Sequence, residues 1–296
     1  DSKDENLEVI NLSVVGYGTD QELIKLEREG LRVTQIPVDG RGLVDPSEIA
    51  AAIQRDTVLV SIMAANNEVG TLQPVAEVAA LARDRGVPVH TDAAQAVGKI
   101  PVRMRELGLD LASVAGHKLY APKGVGALYI RTGVTPEKLI HGADHERGWR
   151  AGTENVLEIV GLGEACRLAA GELDGEMTRL ADLRDRIETA LLDAFPTARV
   201  HGDRSRGGRL PNTLSIGFEG CNAPEILARL EGVAVSAGAA CHSSGQGTVG
   251  SPVLRAMGVA PRHAAGTLRI SVGRMTRQEE LDAAIPRIIE AVRSVS

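Results

Sequence analysis

Thr57-Val-Leu-Val-Ser-Ile-Met-Ala64, the stretch from Pro74 through Arg85, and Val87-Pro-Val-His-Thr-Asp92 together decide the fold. The first is short, apolar and rich in β-branched residues, which predicts a buried strand. Pro74 opens a helical pattern that sets Val75, Val78, Ala79 and Leu81 on one side. The third reads as another strand. Asp110-Leu-Ala-Ser-Val114 and Gly124-Val-Gly-Ala-Leu-Tyr-Ile130 continue the series. Strands separated by helices of this length predict βαβ units and a parallel sheet, hence an α/β fold with flanking helices.

Working outward, Glu154 to Ala194 reads as one long charged helix with Asp182, Asp185 and Arg186 on its wet side. Beyond Pro196 the pattern changes. Strands are expected at Leu210–Phe218, Val233–Ser236 and Thr267–Val272, with helices at Pro224–Leu230 and Gln278–Val295. The expected organisation is a large domain over 1–172 and a smaller α+β domain over 173–296. There is no internal repeat or low-complexity tract.

Composition narrows the function classes. The net charge of −6 argues against a nucleic-acid or anionic-membrane partner. The apolar stretches are too short and too interrupted to span a bilayer, and no secretory leader pattern opens the chain. Aromatic residues are only 2%, so the core must come from Val, Leu, Ile and Ala. Three widely spaced cysteines, Cys166, Cys221 and Cys241, form neither a disulfide framework nor a metal-type pair, which fits a reducing cytoplasm. Cys166 lies beside Ala165 and Leu168 and reads as core. Cys221 sits in a turn without a visible chemical partner.

Three features carry chemistry. Lys118, in Gly116-His117-Lys118 after a predicted strand, could form a Schiff base if its surroundings lower its pKa; a surface turn lysine is the plain alternative. Asp92, in His90-Thr-Asp-Ala-Ala-Gln95, could pair with a protonated pyridine nitrogen, and Gln95 could reach a ring oxygen; a helix N-cap is the plain alternative for Asp92. Cys241, in Ser236-Ala-Gly-Ala-Ala-Cys-His-Ser-Ser-Gly245, has the small and polar neighbours of a travelling thiol rather than a buried one.

In this order, the combination resembles the cysteine desulfurase and selenocysteine lyase group of class V, fold-type I pyridoxal-phosphate enzymes. The matching stretches are Leu26-Glu-Arg-Glu-Gly30, Ala65-Asn-Asn-Glu-Val-Gly70, His90-Thr-Asp-Ala-Ala-Gln-Ala-Val-Gly98, Gly116-His-Lys-Leu-Tyr120, Arg150-Ala-Gly-Thr-Glu-Asn155, Leu210-Pro-Asn-Thr213, Gly238-Ala-Ala-Cys241 and Leu268-Arg-Ile-Ser-Val-Gly-Arg274.

The resemblance implies roles position by position. Lys118 would hold pyridoxal 5'-phosphate covalently and His117 would help bind its phosphate. Asp92 would pair with the pyridine nitrogen and Gln95 with the ring oxygen. Asn67 would contact cofactor and substrate, and Arg269 would clamp the substrate carboxylate bidentately. Thr153 would reach the cofactor phosphate of a neighbouring subunit in a homodimer. Cys241 would take sulfur from L-cysteine, leaving L-alanine and an enzyme persulfide for a sulfur-acceptor protein.

Two departures stand out. The family's N-terminal portion, with its phosphate-binding Thr and ring-stacking His, has no counterpart, and Val14-Val-Gly-Tyr-Gly18 falls where the His is expected. Ala115 replaces the family's phosphate-binding Ser. The expectation is an N-terminally truncated relative. Selenocysteine lyase is the enzymatic alternative, from Gly238-Ala-Ala-Cys-His-Ser243 and Ser251-Pro-Val-Leu254; a catalytically impaired scaffold subunit is the other.

Overall fold

The computed structural model describes residues 8–11, 28–138, 140–238 and 251–296. Two sheets organise the chain. The larger runs in the order β2-β1-β3-β4-β5-β6, from β1 (Glu8–Asn11), β2 (Arg32–Gln35), β3 (Thr57–Met63), β4 (Val89–Asp92), β5 (Leu111–Ala115) and β6 (Gly126–Ile130). All neighbouring pairs are parallel except β5 with β6. The smaller sheet is antiparallel, in the order β7 (Arg199–His201), β8 (Thr213–Gly217), β9 (Thr267–Ser271).

The expected βαβ unit is present. Helix α1 (Pro46–Ala52) precedes β3, and helix α2 (Val75–Arg83) returns the chain from β3 to β4. Asp45 caps α1 by accepting from the Ser47 amide at 2.8 Å, with Pro46 in the first turn where its missing N–H costs nothing. Val75, Val78, Ala79 and Ala82 form the buried stripe of α2 and pack with Ile49, Val60, Ile62 and Val89. Val60 and Ile62 of β3 followed by Ala64, and Val87 leading into Val89 of β4, enter that core at alternate positions, the period a pleated sheet imposes.

Helix α3 (Val156–Ala194) has 39 residues and spans about 58 Å at 1.5 Å per residue. Near its start, Leu162 and Ala165 pack on Leu119 and Ala121. Near its end, Leu180, Leu183, Ile187 and Leu191 join Leu214, Ile216 and Leu268 of the small sheet and helix α7 (Gln278–Arg293). One helix therefore serves two cores. Helices α4 (Ala223–Arg229), α5 (Pro252–Ala256) and α6 (Pro261–Ala264) complete the described α-helices.

The two sheets are also tied by main chain. Leu210 N–H donates to Gly70 C=O at 2.8 Å, and Leu72 N–H donates to Gly208 C=O at 2.9 Å. Gly70 has φ +78°, and a Cβ there would stand 3.1 Å from Thr213 Cβ. Only glycine supplies both that dihedral and that approach.

Two expectations are corrected. Val233–Ser236 is not a strand: only Ser236 pairs, as an isolated antiparallel bridge to Arg269. The preceding Glu231-Gly232 bend leaves that single register position at the β9 edge. Cys166 is exposed rather than core. At 100° per residue, Leu162 and Ala165 take the buried stripe and turn position 166 away from it.

Candidate active site

In a parallel sheet, ligands collect beyond the carboxyl ends of the strands. Here three neighbouring strands deliver the expected residues to that edge. Asn67 follows the end of β3, Asp92 ends β4, and His117 and Lys118 follow β5.

The Asn67 loop is built by its predecessor. The buried Asn66 carboxamide oxygen accepts from the amides of Glu68 at 2.8 Å and Val69 at 3.0 Å. That local turn leaves Asn67 at its outer corner, partly exposed. The exposed Asp92 accepts from the Ala94 amide at 2.8 Å through Oδ1, an Asx-turn contact; a turn and not a helix follows β4, so Asp92 is not the helix N-cap of the plain alternative. A carboxylate can hold a turn with one oxygen and bind with the other.

Lys118 lies in a short 3₁₀ turn, Gly116–Leu119. Gly116 makes this turn possible, because a Cβ there would lie 2.7 Å from Val125 C=O. Its own N–H donates to that same carbonyl at 3.0 Å. Tyr120 ends the turn in the left-handed region at φ 67°. His117 and Lys118 are left exposed at the sheet edge. Ala115, the departure from the family pattern, is the last residue of β5.

From the small sheet, Arg269 on β9 crosses to this edge. Its Nη1 donates to Asn67 C=O at 2.9 Å, while its buried Nε finds no hydrogen-bond partner among the described residues. A buried, unpaired guanidinium N–H costs stability, so its persistence points to an anionic ligand. Ser236 exchanges both main-chain hydrogen bonds with Arg269, at 3.1 and 2.7 Å. The chain leading toward Cys241 thus starts beside the guanidinium-bearing residue. Cys241 itself lies outside the described residues, as do Leu26 and Val14–Gly18.

The structure does not join every expected residue to this group. Thr153 sits in an exposed turn, where its C=O accepts from Arg150 Nη1 at 3.1 Å. No hydrogen bond links it to Asp92, Lys118 or Arg269 among the described residues. Cys221 is buried in the small-sheet core, its Sγ 3.8 Å from both Glu219 C=O and Ser296 Oγ.

Sequence reasoning missed three neighbours. His90 shares a strand face with Asp92 and is held between Ser61 Oγ and Ser113 Oγ, each at 2.8 Å. Burial lowers its pKa, and the Asp92 charge opposes that shift. Glu68 accepts from Ser251 Oγ, and the Gly238 backbone approaches the same carboxylate. Lys99 is partly buried and donates to Gln95 C=O at 3.0 Å and Lys118 C=O at 3.4 Å. His90 and Glu68 lay inside quoted motifs without a role of their own, and Lys99 lay one residue beyond the 90–98 motif.

This donor set fits pyridoxal phosphate and an amino acid. It offers a lysine amine, a carboxylate, an amide and an imidazole at neighbouring strand ends, with an unsatisfied guanidinium N–H opposite. Among the described residues there is no cluster of ligands suited to a metal, and no helix is long and apolar enough to cross a membrane.

Comparison with known proteins agrees with this chemistry. Residues 22–284 match the Aminotransferase class-V family. The chain is 44% identical over 280 residues to the cysteine desulfurase IscS of Dictyoglomus turgidum, covering 92% of this chain and 69% of that one. It is 40% identical over 300 residues to the cysteine desulfurase IscS of Methanosarcina thermophila, covering 100% and 73%. Among solved structures, a NifS-like protein superposes with a TM-score of 0.89 at 36% identity, over 99% of this chain and 77% of that one. The NifS-like protein of Rickettsia africae gives 0.83 at 28% identity, over 97% and 76%. The chain belongs to the cysteine desulfurase family of class V aminotransferases.

Proposed function

We propose that this chain uses pyridoxal phosphate to take sulfur from L-cysteine and hand it, as a persulfide on Cys241, to a sulfur-acceptor protein. The observation that carries the reading is Arg269. Its buried, unpartnered Nε and its bond to Asn67 C=O set a cation opposite the strand ends that bear Asp92 and Lys118.

Bound there, the cofactor would supply an electron sink for the bond that breaks at the substrate Cα. The remaining work falls to side chains. Lys118 would hold the cofactor and move the Cα proton through Nζ. Asp92 would keep the pyridine nitrogen protonated with the oxygen not engaged by Ala94. Gln95 would donate to the ring oxygen, and His117 to the phosphate. Arg269 would fix the substrate carboxylate, with Asn67 orienting the amino acid.

Cys241 thiolate would then attack the substrate sulfur. An S–S bond forms and the C–S bond breaks, with its electron pair left on the substrate carbon. Protonation of that carbon completes L-alanine. The products, alanine and an enzyme persulfide, balance L-cysteine and one enzyme thiol.

Thr153 fits a homodimer in which it serves the partner's site, and the exposed Val156, Leu157 and Val160 that lie just beyond it offer apolar surface for such a partner. We place the division of the two domains at 172/173, within α3, and the protein in the cytoplasm. The test is the visible absorption spectrum of protein mixed with pyridoxal phosphate. A new band is expected for wild type and none for Lys118→Ala, with alanine and sulfide produced from L-cysteine only by wild type. A well-folded wild type without the band refutes the reading.

A further inference from the structure

Four of the residues assigned to the cofactor lie on two neighbouring chain segments. Asp92 and Gln95 belong to the turn after β4, and His117 and Lys118 to the turn after β5. The β4–β5 ladder closes where Ala93 N–H donates to Ser113 C=O at 3.0 Å, so by itself it does not fix the spacing of Gln95 and Lys118 in the turns beyond it. Something else must.

Lys99 is the side chain that spans the gap. Its ammonium donates to Gln95 C=O at 3.0 Å and to Lys118 C=O at 3.4 Å. The surrounding contact is close and otherwise apolar. Gly98 has φ +78°, and a Cβ there would stand 3.3 Å from Leu119 Cβ. Val97 packs against the cluster of Leu119, Ala121, Leu162 and Ala165. Lys99 also lines the cleft that holds Lys118, Tyr120, Glu172, Glu176 and Arg274. The carboxylates of that cleft have other partners: Glu172 binds Arg274 at 2.8 Å, and Glu176 binds Arg179 at 2.7 Å. Among the described residues no carboxylate pairs with Lys99.

We propose that Lys99 is a positioning residue, a clamp between the Asp92–Gln95 turn and the Lys118 turn that holds the two halves of the cofactor site in register. The assignment deepens the cofactor reading above and rests on it. A cation kept here works against its own solvation. Burial first, and the Lys118 charge second, lower the Lys99 pKa to about 8. An unpaired, desolvated lysine gives the fold little, which fits retention for the two carbonyls it ties together.

The variants are Lys99→Met, which keeps the length of the stem and removes the donors, and Lys99→Arg, which keeps the cation. For Lys99→Met, cofactor-free protein should melt at or above the wild-type temperature. Hydrogen exchange of the 93–99 and 116–121 amides should be faster. Pyridoxal phosphate affinity should fall roughly tenfold, and the pH titration of the visible band should shift. The kcat for L-cysteine should drop more than KM changes, since the clamp acts on the cofactor rather than on Arg269. Lys99→Arg should recover most of the affinity.

A wild type that binds cofactor, with Lys99→Met matching it in affinity, band titration and exchange, overturns the clamp alone. A wild type that takes up no cofactor overturns the functional reading and the clamp's purpose with it.

Discussion

Replacing Arg269 by Met separates binding from stability more cleanly than any other single change at the site. Methionine keeps most of the apolar stem, so packing beside Ser236 and Asn67 should survive. On the stability side, the bond from Nη1 to Asn67 C=O, at 2.9 Å, contributes roughly 1.5 kcal/mol. Against it stands the buried, unpartnered Nε, which costs roughly 1–3 kcal/mol. The two nearly cancel, so the ligand-free variant should unfold within about 1.5 kcal/mol of wild type, or about 2 °C for a chain of this size. On the binding side, a bidentate guanidinium–carboxylate pair forfeits about 3 kcal/mol, or about 150-fold in substrate affinity. The assay pairs thermal unfolding without ligand with KM for L-cysteine. A large loss of melting temperature with unchanged KM would refute the reasoning, because Arg269 would then be a structural arginine.

Two further predictions concern the small-sheet core. His201 is buried against Thr267, at 3.1 Å from its Oγ1, and burial with the His263 charge lowers its pKa to about 4. The folded state disfavours the imidazolium, so the stabilisation is complete above the unfolded pKa of about 6.5. It declines as pH falls toward about 4, by roughly 3 kcal/mol in all. Urea midpoints between pH 7.5 and 4 should show this slope, and His201→Gln should flatten it; an identical slope in the variant disproves the assignment. Phe218 is 2% exposed and meets Phe195 edge-on at 5.2 Å, so Phe218→Ala should cost about 4 kcal/mol in urea unfolding while leaving cofactor affinity intact.

The scaffold was legible because it rests on local rules. The β-branched run at Thr57–Met63 and the apolar stripe of α2 each bury one face, and that pattern is written at fixed spacing along the chain. Lys118 and Asp92 could be singled out because each closes or follows such a strand, whereas Asn67 was reached only through the family resemblance. Cys166 has the neighbours of a core residue yet is exposed, because Leu162 and Ala165 set the buried direction of α3 and adjacent residues on a helix face different ways. Val233–Ser236 has the composition of a strand, yet a strand needs a partner edge, and only Ser236 meets one.

By itself the sequence determined the alternation of strands and helices, the positions of the cofactor-type residues and the family. Those depend on residue type and spacing, which the chain carries locally. Tertiary structure alone decided that Arg269 spends one nitrogen on Asn67 and leaves another unpaired, because the loop after β3 meets β9 only in the folded chain. It also decided that Lys99 bridges the Gln95 and Lys118 carbonyls. A main-chain carbonyl is the same at every position, so no residue type advertises which lysine will reach it; only the folded path of both turns does.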